Sequence, residues 1–362
     1  MSGLEQILRR RIELGGPLSL TQFMSESLWH PSAGYYAQSA VLGAEGDFVT
    51  APEISQMFGE LLGLWCVSVW QQMGSPGAFI LAELGPGRGT LMSDILRAIK
   101  PIPGFRAAAA LHLIEASPRL RAQQEKTLAG EGAQWHEDLA ALPEGPTILL
   151  LNEFFDALPI LQLERTAEGW HERLVDLDPA GGFRFVRALE PSTAAALLAP
   201  GLAAAPPGSL VELSPAGISL AATIGGRLAQ QGGVALIVDY GPDESRLGPT
   251  LQALRRHRRH DPLAEPGTAD LTAHVDFAAL ARAAREAGAK AMGPVPQGMF
   301  LERLGIRMRA ARLESNASRA QAGAVRAALR RLIDPAEMGT LFKLLAITHP
   351  DLPVPAGFES LR

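Results

Sequence analysis

The sequence predicts an α/β protein built on a mostly parallel sheet, with an N-terminal helical cap and an inserted antiparallel β segment. Four short apolar runs, FILAEL (79–84), ALHLIEA (110–116), TILLLNE (147–153) and VALIVDYG (234–241), alternate with helical stretches. That alternation is the signature of parallel strands joined by helices and covered on both faces. Polar groups gather where these runs stop: Glu115, then Asn152, Glu153 and Asp156, then Asp239. Between the third and fourth runs, about residues 160–210, segments such as LQLER, GWHERLVDL and GGFRFVRAL alternate with a period of two, which predicts antiparallel strands inserted into the main unit.

Each element follows in order. Residues 4–14 and 20–29 read as short helices, leading to a turn at His30-Pro31-Ser32-Ala33-Gly34. Thr50-Ala51-Pro52-Glu53 is spaced as a capping box with proline in the first turn. It is expected to open one helix whose Ile54, Met57, Phe58, Leu61, Leu62, Trp65 and Val69 share a face and which ends near Gly74. A cap over 1–74 therefore precedes the main domain over 75–350. Ala194 to Ser209, rich in alanine and proline, reads as a surface connection. Gly298 to Pro335 reads as helical and arginine-rich, and LFKLLAITHP (341–350) as the last strand, with 351–362 a tail.

Composition bounds the function. A chain of 362 residues, 47% hydrophobic, can bury a large core, and its net charge of -5 gives no global attraction to nucleic acid or an anionic membrane. The single cysteine, Cys66, forms no internal disulfide or cysteine-rich metal site and reads as a small core hydrophobe. No uncharged run reaches the roughly 18 to 20 residues of a membrane helix, and residues 1–16 hold no apolar leader, so a cytoplasmic protein is expected. Arg255-Arg256-His257-Arg258-Arg259-His260 is the one concentrated basic run. It is read either as a grip on an acidic protein or nucleic acid, or as a solvated loop.

The stretch Glu83-Leu84-Gly85-Pro86-Gly87-Arg88-Gly89-Thr90 sits between a strand and a helix. Its third glycine comes one position too early for the dinucleotide fingerprint, which argues against a nicotinamide cofactor. The loop suits instead a cofactor whose amine and carboxylate rest on it while its ribose reaches the end of the next strand. There Glu115 can accept from both ribose hydroxyls, or else cap a helix or pair with a cation. Asp138, after a short strand near Trp135, is a candidate for the adenine amino group.

GDFVTAPEISQMFGELLG, ELGPGRGTLMSDIL, LIEASPRLR, LNEFFDALPI, VDYG and GTADLTAHVDF occur in this order along the chain, and together they resemble the MidA-like family, which includes the mitochondrial arginine methyltransferase that assists respiratory complex I assembly. The resemblance implies a class I S-adenosylmethionine-dependent methyltransferase: a Rossmann-like sheet with an antiparallel last strand. By that likeness the mitochondrial relative's activity is symmetric dimethylation of an arginine in the 49-kDa subunit of NADH dehydrogenase, and a protein arginine methyltransferase acting on the corresponding subunit is expected here. By the same resemblance Gly85, Gly87 and Gly89, with Glu83, would form the cofactor loop, Glu115 would hold the ribose, and Asp138 would lie near the adenine. Asp47, Phe48, Thr50, Pro52 and Glu53 would fold over the methionine end. Because the sequence shows no targeting peptide, a bacterial member is expected.

Methyl transfer from a sulfonium to a guanidinium nitrogen needs an in-line approach and a carboxylate that orients the nitrogen; it needs no metal. Glu153 takes that role, with Asn152 beside it. Asp156 either assists or caps a following helix. Phe154 and Phe155 either wall the channel or pack beneath the loop. Thr272 and Asp276 are read as helix caps, and His274 either contacts substrate, relays a proton or is structural. Asp239 and Tyr240 are weaker candidates at the same sheet edge. The expected partner is a protein substrate, a complex I subunit, with a second copy of the chain left open. A methyltransferase for RNA or a small molecule, and an assembly chaperone that holds the cofactor without essential catalysis, are the competing readings.

Overall fold

The apolar runs pair side by side, as their alternation with helices requires. The computed structural model describes residues 3–37 and 50–359. These fall into two units: one drawn from 49–154, 221–241 and 280–362, the other from 1–48, 155–220 and 242–279. Residues 1–74, expected as a cap, are thus shared between the two.

The first unit holds a seven-stranded sheet. Its strands in chain order are β1 (Phe79–Leu84), β2 (Ala109–Ile114), β3 (Gln134–His136), β4 (Thr147–Asn152), β5 (Gly233–Tyr240), β6 (Lys290–Pro296) and β7 (Phe342–Thr348). Across the sheet the order is β3-β2-β1-β4-β5-β7-β6. Strands β1 to β5 pair in parallel, and β7 runs antiparallel to both β5 and β6. Ile148, Leu149, Leu150 and Leu151 of β4 are each no more than 1% exposed, so this strand is sealed on both faces between β1 and β5. The order of connection reverses at the β1/β4 pair, and in open α/β sheets ligands bind at the carboxyl ends of the strands at such a switch point.

Strand β6 is not legible in the sequence. Its Pro294 and Pro296 read as strand breakers, but β6 pairs only with β7 at the edge, where a missing N–H costs little, and its register shifts between Met292 and Val295. Beneath β1 and β4 pack α1 (Gln56–Gln72) and α2 (Thr90–Ile99), through Met57, Phe58, Leu61, Leu62, Trp65 and Val69 from the first and Leu91, Met92, Ile95 and Ile99 from the second. Cys66 is buried in the same layer, and burial pushes its thiol pKa upward.

The helix expected to run unbroken from Thr50 is two helices. A single turn, Ala51–Ile54, has Thr50 as its N-terminal residue but no side-chain capping bond, so the capping box does not form. Ser55 then adopts extended backbone, φ -162° and ψ 135°, and its hydroxyl accepts from the Met57 N–H to start α1 afresh. Ser55 is the better-placed cap, and the break frees the first turn for another use.

In the second unit, helices Gly3–Gly15 and Leu20–Trp29 bury Leu4, Leu8, Ile12, Phe23, Met24 and Leu28, and Ser19 with Gln22 forms a complete capping box. The inserted strands Leu161–Arg165, Trp170–Leu177, Phe183–Pro191 and Leu210–Leu213 are antiparallel, as expected, and join Leu18–Ser19 in one sheet. A three-stranded sheet adds Gln252–Arg255, Arg258–His260 and Asp270–Thr272. Thr272, expected as a helix cap, lies in the last of these strands, whereas Asp276 does cap, accepting from the Ala279 N–H at 2.9 Å. The basic run is a hairpin turning at Arg256 and His257, both with left-handed φ, and its Arg255 pairs with Glu265.

Strands β4 and β5 approach closely at Gly233, whose φ is 112° and where a Cβ would stand 1.9 Å from the Thr147 carbonyl oxygen. Gly233→Ala is expected to destabilise the chain by about 3 kcal/mol, since strained φ and overpacking add. Urea unfolding followed by circular dichroism measures it; a loss under about 0.5 kcal/mol would show that β4 and β5 yield at this point.

Candidate functional site

Strand β1 ends at Leu84, and the chain turns through Gly85, Gly87 and Gly89, with φ of 68°, 53° and 80°, before α2 begins at Thr90. Those left-handed angles suit glycine. The space a side chain at Gly85 would need is filled: a Cβ there would lie 2.5 Å from Cδ2 of Phe154. The Phe154 ring thus packs against the glycine loop. Just before the turn, Glu83 is 2% exposed. It accepts from the Met92 N–H, yet its Oε2 finds no hydrogen-bond partner among the described residues. Burial outweighs that one bond and pushes the Glu83 carboxyl up to about 8.

Glu115 follows β2. Its N–H donates to the His136 carbonyl at 2.9 Å, which holds it at the end of the β2/β3 pair. Its Oε1 accepts from the Ser117 N–H at 2.8 Å and its Oε2 from the Gln124 side-chain amide at 3.1 Å. Burial raises its pKa and these bonds oppose the rise. Each carboxylate oxygen can accept more than one hydrogen bond, so Glu115 is aimed and still able to accept. Asp138 is exposed and caps the turn Leu139–Ala141, its Oδ1 accepting from the Ala141 N–H at 3.0 Å.

At the end of β4, Asn152 and Glu153 lie side by side. The Glu153 N–H donates to the Val238 carbonyl at 2.8 Å, extending the pairing with β5 by one residue. Its φ is then 51°, a left-handed conformation that costs a non-glycine residue about 1 to 2 kcal/mol. The carboxylate is held from two sides, its Oε1 accepting from the Ala51 N–H at 3.1 Å and from the Asn152 amide at 3.1 Å. Ala51 belongs to the short turn that the Ser55 break sets free. Asn152 Oδ1 is buried without a hydrogen-bond partner among the described residues.

Thr50, Pro52 and Glu53 fall in or beside that turn. Pro52 is buried, and Glu53 Oε1 lies 3.7 Å from a guanidinium nitrogen of Arg88 in the glycine loop. Burial raises the Glu53 pKa against the pull of Arg88. Asp47 and Phe48 lie outside the described residues.

Asp156 and His274 belong to the other unit, because the division falls between Phe154 and Phe155. No helix follows Asp156, so its expected alternative as a helix cap does not arise; it sits in a turn whose carbonyl accepts from the Ala273 N–H at 3.0 Å. The His274 N–H donates to the Thr250 hydroxyl at 2.8 Å, and its ring Nδ1 lies 3.0 Å from Arg246 Nη2. Phe155 is buried against Gly217. Asp239 is fully buried and accepts from the Tyr240 N–H at 2.9 Å, while Tyr240 packs on Phe342.

Residues 61–295 match the family described as "Putative S-adenosyl-L-methionine-dependent methyltransferase". The chain belongs to this methyltransferase family. It is 39% identical to the Drosophila melanogaster mitochondrial protein arginine methyltransferase NDUFAF7 homolog, over 95% of this chain and 84% of that one. It is 36% identical to the Homo sapiens mitochondrial protein arginine methyltransferase NDUFAF7, over 94% and 82%. A Burkholderia thailandensis crystal structure bound to S-adenosyl-homocysteine superposes with a TM-score of 0.80 at 30% identity, covering 99% of this chain and 92% of that one.

The methyltransferase fold expected from the sequence motifs is therefore present, and its cofactor is S-adenosylmethionine. The glycine cradle, the aimed Glu115 and the unpartnered oxygen of Glu83 fit that group. The expectation of a bacterial cytoplasmic protein is overturned, because the protein arginine methyltransferase relatives that the chain matches are mitochondrial. It rested on seeing neither an apolar leader nor a targeting peptide in the sequence, and organelle addresses are written in amphipathic, arginine-rich segments that a search for apolar runs does not register. Among the described residues, no helix of this methyltransferase is long and apolar enough to cross a membrane.

Two tests follow from this geometry. Gly85→Ala is expected to weaken S-adenosylhomocysteine binding at least about ten-fold, because both its φ and the Phe154 ring oppose a methyl group; calorimetry showing unchanged affinity would remove the loop from the site. Glu83 supplies a pH dependence. Its carboxyl titrates near 8 when folded and near 4.5 when unfolded, so between those values the native chain holds one more proton, and stability declines as pH rises through that window. Relative to wild type, Glu83→Gln is expected to gain stability steadily from about pH 5 to about pH 8, and a difference independent of pH would contradict the neutral carboxyl.

Proposed function

We propose that this methyltransferase modifies an arginine side chain of a protein substrate, with Glu153 as its catalytic carboxylate. The relatives' names support the reaction, since those proteins are called protein arginine methyltransferases. The observation that carries the residue assignment is the Glu153 backbone: a left-handed glutamate at the end of the central strand, fixed by the Val238, Ala51 and Asn152 bonds. Strain held in place by its surroundings points to function.

When bound, S-adenosylmethionine supplies an electrophilic methyl group on a sulfonium. Gly85, Gly87 and Gly89 allow close backbone approach, Glu83 faces the amino end, Glu115 accepts from the ribose hydroxyls, and Asp138 serves the adenine edge. Glu153 would accept from a guanidinium N–H, turn the attacking nitrogen in line and take up its proton as the carbon–nitrogen bond forms and the methyl–sulfur bond breaks. Asn152 and Ala51 keep the carboxylate from rotating away, so little reorganisation is needed during the reaction. Partial burial of Glu115, Asn152 and Glu153 strengthens the interactions these residues make. On the resemblance to the MidA-like family, the substrate we propose is an arginine of the 49-kDa-type subunit of NADH dehydrogenase, its methylation assisting complex I assembly.

Glu153→Gln is expected to lower the turnover number by about 100- to 1000-fold while leaving the Kd for S-adenosylhomocysteine within about two-fold. Full turnover in that variant would exclude the role given to Glu153. For the substrate, mass spectrometry should find methylarginine in the 49-kDa-type subunit of cells carrying the gene and lose it on deletion. An unchanged subunit would reject that target.

A further inference from the structure

Helix α3 (Pro118–Thr127) runs beneath the glycine loop, and its only buried residue is Gln124. A side chain that docks a helix is ordinarily apolar, because burying an amide costs free energy unless every polar atom is bonded. Gln124 is fully enclosed and meets that condition. Its amide nitrogen donates to the Gly87 carbonyl at 2.8 Å and to Glu115 Oε2 at 3.1 Å, and its Oε1 accepts from the Trp135 indole N–H at 3.0 Å.

The surroundings fix which way the amide faces. Rotated by half a turn, its oxygen would confront the Gly87 carbonyl and the Glu115 carboxylate, and its NH2 would confront the indole N–H, with all three bonds lost. Trp135 thus acts as a key that admits one orientation. The two donated bonds span the gap between the loop that approaches the cofactor's backbone and the carboxylate aimed at its sugar. The Ser117 N–H holds the other oxygen of Glu115, so the carboxylate plane is set from both ends.

We propose that Gln124 is a positioning residue, which locks Glu115 in register with the glycine loop so that the cofactor's ribose hydroxyls are recognised. The proposal rests on the reading of Glu115 as the ribose carboxylate. Gln124 acts through Glu115, and its effect is confined to ligands that carry those hydroxyls.

The test uses calorimetry on the full chain with two probes, S-adenosylhomocysteine and its analogue lacking the ribose hydroxyls. In wild type the analogue binds more weakly. Gln124→Met, close in volume but without donors, is expected to bind S-adenosylhomocysteine about ten-fold more weakly, with affinity for the analogue within about two-fold of wild type. In a Glu115→Gln background the same substitution should add no further loss. Equal weakening toward both probes would mark Gln124 as merely structural and overturn the proposal. Should Glu115→Ala leave the discrimination between the probes intact, the ribose reading itself fails, a result separable from the first. If Gln124→Met does not fold, Trp135→Phe provides the measurement: it keeps Gln124 but removes the key, and should give a smaller loss selective for S-adenosylhomocysteine, whereas unchanged discrimination would overturn the proposal.

Discussion

The enclosure of β4 is the constraint from which the site follows. Sealed on both faces and flanked by β1 and β5, the strand fills its interior positions, Ile148 to Leu151, with apolar side chains, because a polar one there would need a buried partner. Amide and carboxylate therefore begin where the sheet stops. The chain must also turn away sharply there, and the left-handed Glu153 makes the turn while staying tied to Val238. The next residue, Phe154, lies against Gly85, so the loop after β1 and the turn after β4 shape each other. One apolar strand thus dictates where the acids lie, why one is strained and why the neighbouring loop requires glycine.

The carboxylates of this unit are treated in opposite ways. Glu83 is buried with a single backbone donor, and a group left so poorly solvated keeps its proton to an unusually high pH. Glu115 receives donors on both oxygens, and Glu153 has two donors on one oxygen. The first stores the cost of burial, whereas the others spend hydrogen bonds on direction. That contrast is what a site needs in which some groups respond to the ligand's charge and others hold its position.

Much of this was legible in the sequence, and the exceptions have physical causes. The four central strands announced themselves because buried parallel strands need unbroken apolar runs, and the glycine loop because its spacing is tied to a strand and a helix. Strand β6 was masked by prolines that an edge tolerates. The helix from Thr50 was split because Ser55 competed successfully for the role of cap, which no periodicity reveals. Asp156, three residues beyond Glu153, falls in the other unit, a division that the motif holding both residues does not reveal. Gln124 left no trace: a glutamine in a polar helix reads as solvated, and only the packing shows that it is the helix's buried residue. The apolar strand ending in polar residues was itself legible, with Asn152 and Glu153 at the carboxyl end of β4.

Cys66 lies in the layer between α1 and the sheet, fully covered, its thiolate disfavoured by burial. As the chain has no second cysteine, the native molecule presents no thiol to alkylating or oxidising reagents while folded. A cysteine placed on the surface would then be its sole reactive sulfur. The protein can accept a spin label or fluorophore at one chosen point with its own sequence otherwise intact, and the modification of Cys66 itself becomes a clock for how often the core opens.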